Sequence, residues 1–577
     1  MFRLARYLKE FKLNVTIGPL CKLTEAVFEL IVPLVMAQII DVGIANGDTV
    51  YIWQHGLILV GLAVVGLCCA LVCQYMASVA SQGVGTRLRA DLYRHINSLS
   101  HAELDKLGTS APITRITNDV NNVQNTVAML IRLVVRAPFL VVGATIMSFT
   151  ISPRLSLIFF GAMAVIVLVM YPIMRVTVKL YKKQQKSLDG ISRITGENLS
   201  GVRVVRAFSR QDYEKERFDE TAEEYRKFAV KAGRINALLN PAIFIAVNVA
   251  YLLIVYFGAD FTNLGIDGMT GGKVIALVNY MTQISLALVV VANLVSIFTK
   301  TVASAARINE IFDMQPSVVG AESSPEQDEN APSIEFDNVD FSYIGGETAV
   351  EGISFTLKRG ETLGIIGGTG SGKSTLASLI CRFYDAGKGA VKINGVNVRD
   401  YPTEELRKLI GIVPQKAELL SGSLRENMSL GNPNVTDDRI YKALEIAQAD
   451  FAKDLDFRVQ EGGKNFSGGQ KQRLTIARAL AQNPEILILD DSSSALDYAT
   501  DAALRKALRA LPMTCVIISQ RANSIMHANK IIVLDDGKAV GIGTHAELLR
   551  TCDVYHEICA TQYSEEELRE QEAMGDE

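Results

Sequence analysis

The sequence predicts a multi-domain membrane protein: an all-α six-helix transmembrane domain followed by an α/β P-loop domain. Three observations predict it. Residues 49–86 carry no formally charged side chain. Five further stretches, at about 14–40, 128–151, 155–174, 241–262 and 273–299, are apolar over the length a helix needs to cross a hydrocarbon core of about 30 Å. Beyond residue 332, short apolar strands alternate with helical patterns, the signature of an α/β domain.

The 577 residues average 49% hydrophobic and 21% charged, with a net charge of −4. That average joins two unlike halves. Residues 1–313 hold 31 Lys/Arg against 22 Asp/Glu, whereas the rest hold 27 against 40. Such a composition excludes a small disulfide scaffold, a disordered tail protein and a strongly basic nucleic-acid binder. The eight cysteines show no paired metal-ligand spacing and read as buried, apolar thiols.

Within 49–86, Gly56–Val79 forms the second span. The connectors set the orientation. The loop at 83–125 carries Arg87, Arg89, Arg94, Lys106 and Arg115, and the loop at 175–240 carries fifteen Lys/Arg. The opposite connectors carry only Arg154. By the positive-inside rule the N-terminus, both long loops and everything after residue 300 are cytoplasmic, as for a multi-pass protein of the plasma (inner) membrane. Met1–Lys9 is basic and amphipathic and reads as a helix on the cytoplasmic membrane surface. Gly85–Leu99 and Gln211–Arg234 are helical in pattern, so the spans continue beyond the bilayer.

The expected domains are a transmembrane domain over 1–313, a polar linker over 314–332, a nucleotide-binding domain over 333–563 and an acidic tail over 564–577. The strand Thr362–Ile366 leads into Gly367-Gly368-Thr369-Gly370-Ser371-Gly372-Lys373-Ser374, and Thr375 continues a helix. This is G-x-x-x-x-G-K-[ST] in the context the motif requires. Backbone N–H groups of the loop cradle phosphate at a helix N-terminus, Lys373 reaches the β/γ-phosphates, and Ser374 ligates Mg²⁺. A second strand, Glu485–Leu489, ends in Asp490-Asp491, where Asp490 occupies the position of a magnesium-binding carboxylate. ATP and Mg²⁺ are the implied cofactors.

Phe466-Ser467-Gly468-Gly469-Gln470 lies between these motifs, and with it the chain resembles the ABC transporters, in the form of an exporter half-transporter. The resemblance implies that Tyr343 stacks on adenine and that Gln415 touches Mg²⁺ and faces the membrane domain. It implies that Ser467, Gly468, Gly469 and Gln470 close over the ATP of the other subunit. It makes Ser494-Ala495-Leu496-Asp497 the D-loop, with Asp497 beside the reaction. Thr114–Asp119 and Asn198–Phe208 resemble the two cytoplasmic loops whose short coupling helices dock on nucleotide-binding domains.

Two residues depart from the family pattern. Asp491 stands where active members carry the glutamate that positions water, and Gln520 stands where they carry the switch histidine. A carboxylate withdrawn by about 1 Å can cost about 100-fold in rate, and Gln can neither carry nor exchange a proton. This chain's own site is therefore expected to bind ATP and hydrolyse it poorly. The intact Ser467–Gln470 implies a partner half-transporter with the catalytic Glu and the switch His, as in heterodimeric bacterial multidrug exporters with one degenerate site.

For the cargo, Glu25 and Glu29 lie one turn apart in the first span, with Lys22 three residues before Glu25. Intramembrane carboxylates are costly and suggest function. If either faces a central cavity it favours cationic amphiphiles; alternatively Lys22, Arg132 and Arg136 satisfy them. Asn279, Gln283 and Asn293 share one face of the sixth span, lining a path or bonding between helices. The expected activity is ATP-driven export of small amphiphilic molecules, with membrane lipid around the chain. A lipid, peptide or siderophore carrier and a regulatory, non-transporting ATP-binding subunit are the alternatives.

Overall fold

A computed structural model describes residues 3–568 except 327, 329, 344, 494 and 565, so Ser494 and the acidic tail beyond 568 lie outside the described residues. The chain divides into two compact units. One comprises Met1–Arg94 with Pro112–Asp313, the other His95–Ala111 with Met314–Glu577.

The first unit is helical. Among the described residues, six helices are long and apolar enough to cross a membrane, including Thr49–Ser98, Pro153–Ser200 and Gly271–Asp313. At 1.5 Å per residue, the 50-residue helix Thr49–Ser98 is about 75 Å long, far beyond a bilayer core. Small residues allow the helices close approach: Ala26, Ala144, Ala250 and Ala276 are all at most 2% exposed. Large apolar side chains such as Leu57, Leu71, Leu168 and Leu252 point outward instead, as a surface solvated by lipid tails requires. The first and sixth spans are tied by the Tyr280 hydroxyl, which donates to the Leu30 carbonyl at 2.6 Å. The third and sixth are tied by Asn122 to Ser304 at 3.1 Å and by Arg307 to the buried Asp119 at 2.9 Å.

The second unit is α/β. Its main sheet runs Lys538–Gly543, Lys530–Asp535, Thr362–Gly367, Thr514–Ile518, Ile486–Asp490, Ile410–Val413. All neighbours are parallel except the first pair. Ile486–Leu489 is a continuous apolar run because helices cover both faces of such a sheet. A four-stranded antiparallel sheet, led by Ile334–Ser342 and Thr348–Leu357, packs its Phe336 and Phe355 into the same core.

Two segments belong to this unit that the sequence assigned elsewhere. His95–Ala111, expected with the spans, packs here, and in the stretch 314–332, expected as a linker, Val319 and Ala321 are bound to the domain. Arg382 Nη2 donates to the Val319 carbonyl at 2.9 Å and Ala321 N to the Tyr401 carbonyl at 3.1 Å.

Candidate functional site

The parallel strands Thr362–Gly367, Ile486–Asp490 and Thr514–Ile518 end side by side, and the candidate residues follow their C-terminal ends, where open α/β sheets bind ligands. Gly367–Ser374 turns from strand to the helix Lys373–Ile380. Gly372 has φ of +94°, and a Cβ there would lie 2.6 Å from the Ala349 carbonyl, so the sharp turn needs glycine. Gly368, Thr369, Gly370 and Ser374 are exposed, while Ser371 and Thr375 are buried beneath them. The loop thus opens its N–H groups at a helix N-terminus, a ready anion site.

Lys373 Nζ lies across the loop, donating to the carbonyls of Gly367, at 2.9 Å, and Gly368. Burial pulls its ammonium below the usual range, against the opposing fields of Asp491 and Asp490. Ser374 Oγ donates to Asp490 Oδ1 at 3.1 Å. A serine oxygen and a carboxylate oxygen meeting at the loop mouth are the hard donors Mg²⁺ takes, with phosphate completing its shell. The residues present fit that ion, which would neutralise phosphate charge when bound. Gln415 hydrogen-bonds Asp491. Burial raises both carboxyls above their usual range.

Asp491 has φ of +45°, and its N–H donates to the Ile518 carbonyl at 2.9 Å. This fixes the backbone firmly, so the position of the carboxylate follows from side-chain length. Gln520 is exposed, and its loop is held by a residue the sequence reading missed. Gln562 donates through Nε2 to the Gln520 carbonyl and accepts from Ala522 N, both at 2.9 Å. Arg521 lies over the Tyr498 ring, 5.3 Å from its centroid, beside Asp497, which caps the helix Tyr498–Arg509.

Ser467 caps the helix Gly468–Ala481 in a capping box with Gln470: Gln470 N donates to Ser467 Oγ at 3.3 Å and Ser467 N to Gln470 Oε1 at 2.9 Å. Ser467 and Gly468 are exposed, and a Cβ on Gly468 would meet nothing within 4 Å. Gly469 is closer, with its Cβ position 3.0 Å from the Ala495 carbonyl.

Tyr343 is half-exposed, and its hydroxyl lies 3.2 Å from Thr375 Oγ1. Its ring meets Tyr384 edge-on at 5.3 Å. The Tyr384 hydroxyl donates to Asp105 on the short helix His101–Leu107. His101 stacks on Phe383 at 4.2 Å, and burial, then the charge of Arg407, keep its imidazole below the usual range. The packed helix of the first loop is therefore His101–Leu107. Thr114–Asp119 lies instead in the helical unit, where Arg115 pairs with Glu310 and Asp119 with Arg307. Its signal was present in the sequence: Ser100 and Glu103 form a capping box, and Gly108 at φ of +64° ends the helix.

In the helical unit, Glu25 pairs with Lys22 at 2.6 Å, and Glu29 with Arg136 at 2.5 Å. Gln283 donates to the Glu29 carbonyl at 3.0 Å. Asn279 is exposed and donates to Ile275 on its own helix, and Asn293 is also exposed, so neither joins Glu29 and Gln283.

The family described as ABC transporter transmembrane region matches residues 15–288, and the family described as ABC transporter matches 350–494. An uncharacterized ABC transporter ATP-binding protein of Mycobacterium tuberculosis is 36% identical over 572 residues, covering 97% of each chain. The ABC transporter ATP-binding protein YfiB of Bacillus subtilis is 35% identical over 566 residues, covering 97% of this chain and 98% of its own. A solved bacterial Atm1-family ABC exporter with ATP bound superposes with a TM-score of 0.77 at 25% identity, over 97% of this chain and 99% of that one. With a P-loop, a second acidic strand end and an open signature helix in one α/β unit, and six bilayer-length helices in the other, this chain belongs to the ABC transporter family, as a half-transporter of exporter fold.

Proposed function

We propose that the chain is one subunit of a heterodimeric exporter that moves small amphiphilic molecules outward across the plasma membrane, with its N-terminus and nucleotide-binding domain in the cytoplasm. ATP hydrolysis coupled to transport is the family's activity; the division of labour is the proposal. Gly367–Thr375 and Tyr343 hold ATP, with Ser374, Asp490 and Gln415 around Mg²⁺. Asp491 positions water from too far back, and Gln520 hydrogen-bonds phosphate without exchanging a proton. Ser467, Gly468, Gly469 and Gln470 complete the competent site of the partner half-transporter, and Asp497 lies at that junction.

The observation that carries this reading is the coexistence of Asp491 and Gln520 with an intact, exposed signature helix. A chain whose own site is impaired keeps that signature because another chain's ATP uses it. Leu199, Val204 and Phe208, exposed apolar residues around the short helix Val202–Ala207, suit a second subunit as well.

The test is to photolabel the assembled transporter with an azido-ATP analogue during turnover and to identify the nucleotide on each chain. Triphosphate retained on this chain and diphosphate on its partner is the expected outcome; diphosphate on both in equal measure contradicts it. In the same complex, Asp491→Ala should reduce turnover far less than the equivalent change in the partner.

A further inference from the structure

We propose that the cytoplasmic ends of the fourth and fifth spans bind the headgroups of anionic membrane lipids. The inference goes beyond the export reading and takes from it only the bilayer crossing and its orientation.

The two helix ends form a stack of cations without an anion. The chain carries no Asp or Glu from 155 to 188 or from 225 to 259. It carries no charge at all over 155–174 and 235–259, so Arg175 and Arg234 are the first charges beyond the apolar stretches. The helices Pro153–Ser200 and Gln211–Ala237 pack side by side here. Two ties set their register: Gln184 Nε2 donates to the Tyr225 hydroxyl at 3.1 Å, and Arg217 Nη2 to Glu197 Oε2 at 2.8 Å. Partner numbers rise on one helix as they fall on the other, so the two run antiparallel. At equal rise per residue, Arg175 lies level with Arg234, Lys179 with Lys231 and Lys182 with Lys227. All six are exposed. The ion pairs of these helices, made by Arg193, Arg217 and Arg226, leave all six without a carboxylate partner among the described residues.

The same periodicity sets the direction in which they point. Seven residues are two turns of helix to within about 20°. Leu168, Arg175 and Lys182 therefore share one face. Leu238 is itself helical, so the fifth span keeps its phase, and Leu252, Ile245, Leu238 and Lys231 share another. These four leucine and isoleucine side chains are 60–74% exposed, the state of side chains among lipid tails. The faces that are apolar across the bilayer core turn basic where they leave it. Arg175 and Arg234 sit at the edge of the core, with Lys179 about 6 Å and Lys182 about 10 Å beyond it. The headgroup layer is about 5–7 Å deep, and its potential reaches about 8 Å further at physiological salt. The positive-inside rule asks only for an excess of Lys/Arg on one side. Level pairs of like charge, with every carboxylate excluded, repel one another until an anion joins them. A second copy of this chain would bring the same cations, whereas an anionic headgroup complements them.

The experiment uses the assembled transporter in a neutral maltoside detergent. Native mass spectrometry with phosphatidylglycerol or phosphatidylcholine of matched acyl chains gives a Kd for each. Phosphatidylglycerol should bind tighter by about tenfold or more, since each cation near an anionic surface contributes about fivefold. Arg175→Gln, Lys179→Gln and Arg234→Gln together should remove most of that preference. The same loss of charge in the α/β unit, by Lys358→Gln, Lys442→Gln and Lys506→Gln, should leave it intact. Binding of a fluorescent ATP analogue to each variant reports folding independently. Equal Kd values for the two lipids, a preference unchanged in the folded Arg175/Lys179/Arg234 variant, or one lost equally in the α/β variant overturns the proposal. So does a variant that sheds its partner subunit yet keeps its lipid preference, which assigns these faces to the subunit interface. The assay requires no hydrolysis, so its failure leaves the two-site reading of the ATPase intact.

Discussion

Gly468→Asp should lower the ATPase rate of the assembled transporter by at least about 100-fold while leaving this chain folded. The side chain has open space, with nothing within 4 Å of the new Cβ. An acidic residue in the first turn of Gly468–Ala481 also suits the positive end of the helix dipole. The fold therefore tolerates the change, and the damage falls on whatever the exposed helix terminus faces. If that is the γ-phosphate of ATP on the partner, the added carboxylate repels it and offsets the donors there, and losing one such donor typically costs about 10²–10³ in rate. Ser467→Arg should act in the same direction. It also removes the capping hydroxyl, worth about 0.5–2 kcal/mol, so its effect is less cleanly assigned. Steady-state phosphate release from the complex, with thermal unfolding as the folding control, reads both. A Gly468→Asp complex that keeps its rate would mean that the signature serves no competent site.

The second large effect is a gain. Asp491→Glu combined with Gln520→His should raise hydrolysis at this chain's own Walker site by about 10²-fold or more, and either change alone should do less. Asp491 is pinned by its backbone bond to Ile518, so an added methylene advances the carboxylate without moving the strand end. Recovering about 1 Å of reach is worth about 100-fold. The Gln520 backbone is held by Gln562, so a histidine there enters a loop already ordered. A positioned imidazole adds proton-transfer capacity that Gln lacks. The measurement is phosphate release by the purified double variant without its partner. A double variant no faster than the starting chain would locate the impairment outside these two side chains.

The nucleotide motifs were legible in the sequence because their chemistry is local. A P-loop is a strand, a turn and a helix within a dozen residues, and Asp490 is read from the strand it ends. The six spans were legible because a bilayer demands length and low charge of each one separately. Long-range pairings were not. Glu29 could pair with Arg136 only if the first and third spans lay at matching depth, and no property of either helix alone fixes that. Gln562 holds the Gln520 loop from the far end of the domain, and nothing about a polar residue after a helix announces it. The helix His101–Leu107 was visible as a capping box, but its stacking on Phe383 and its tie to Tyr384 depend on the fold of a domain more than 200 residues further on. Asn279 shares a face with Gln283, yet bonds within its own helix. Residues on one face reach a cavity only at the turns where neighbouring helices open it.

The most direct measurement is the ATPase rate of the purified chain alone, compared with that of the complex formed with its partner half-transporter. Two Asp491/Gln520 sites should leave the chain alone at no more than about one-hundredth of the rate of the complex, with ATP still bound. A lone chain that hydrolyses ATP as fast as the complex would contradict the division into one impaired site and one competent site.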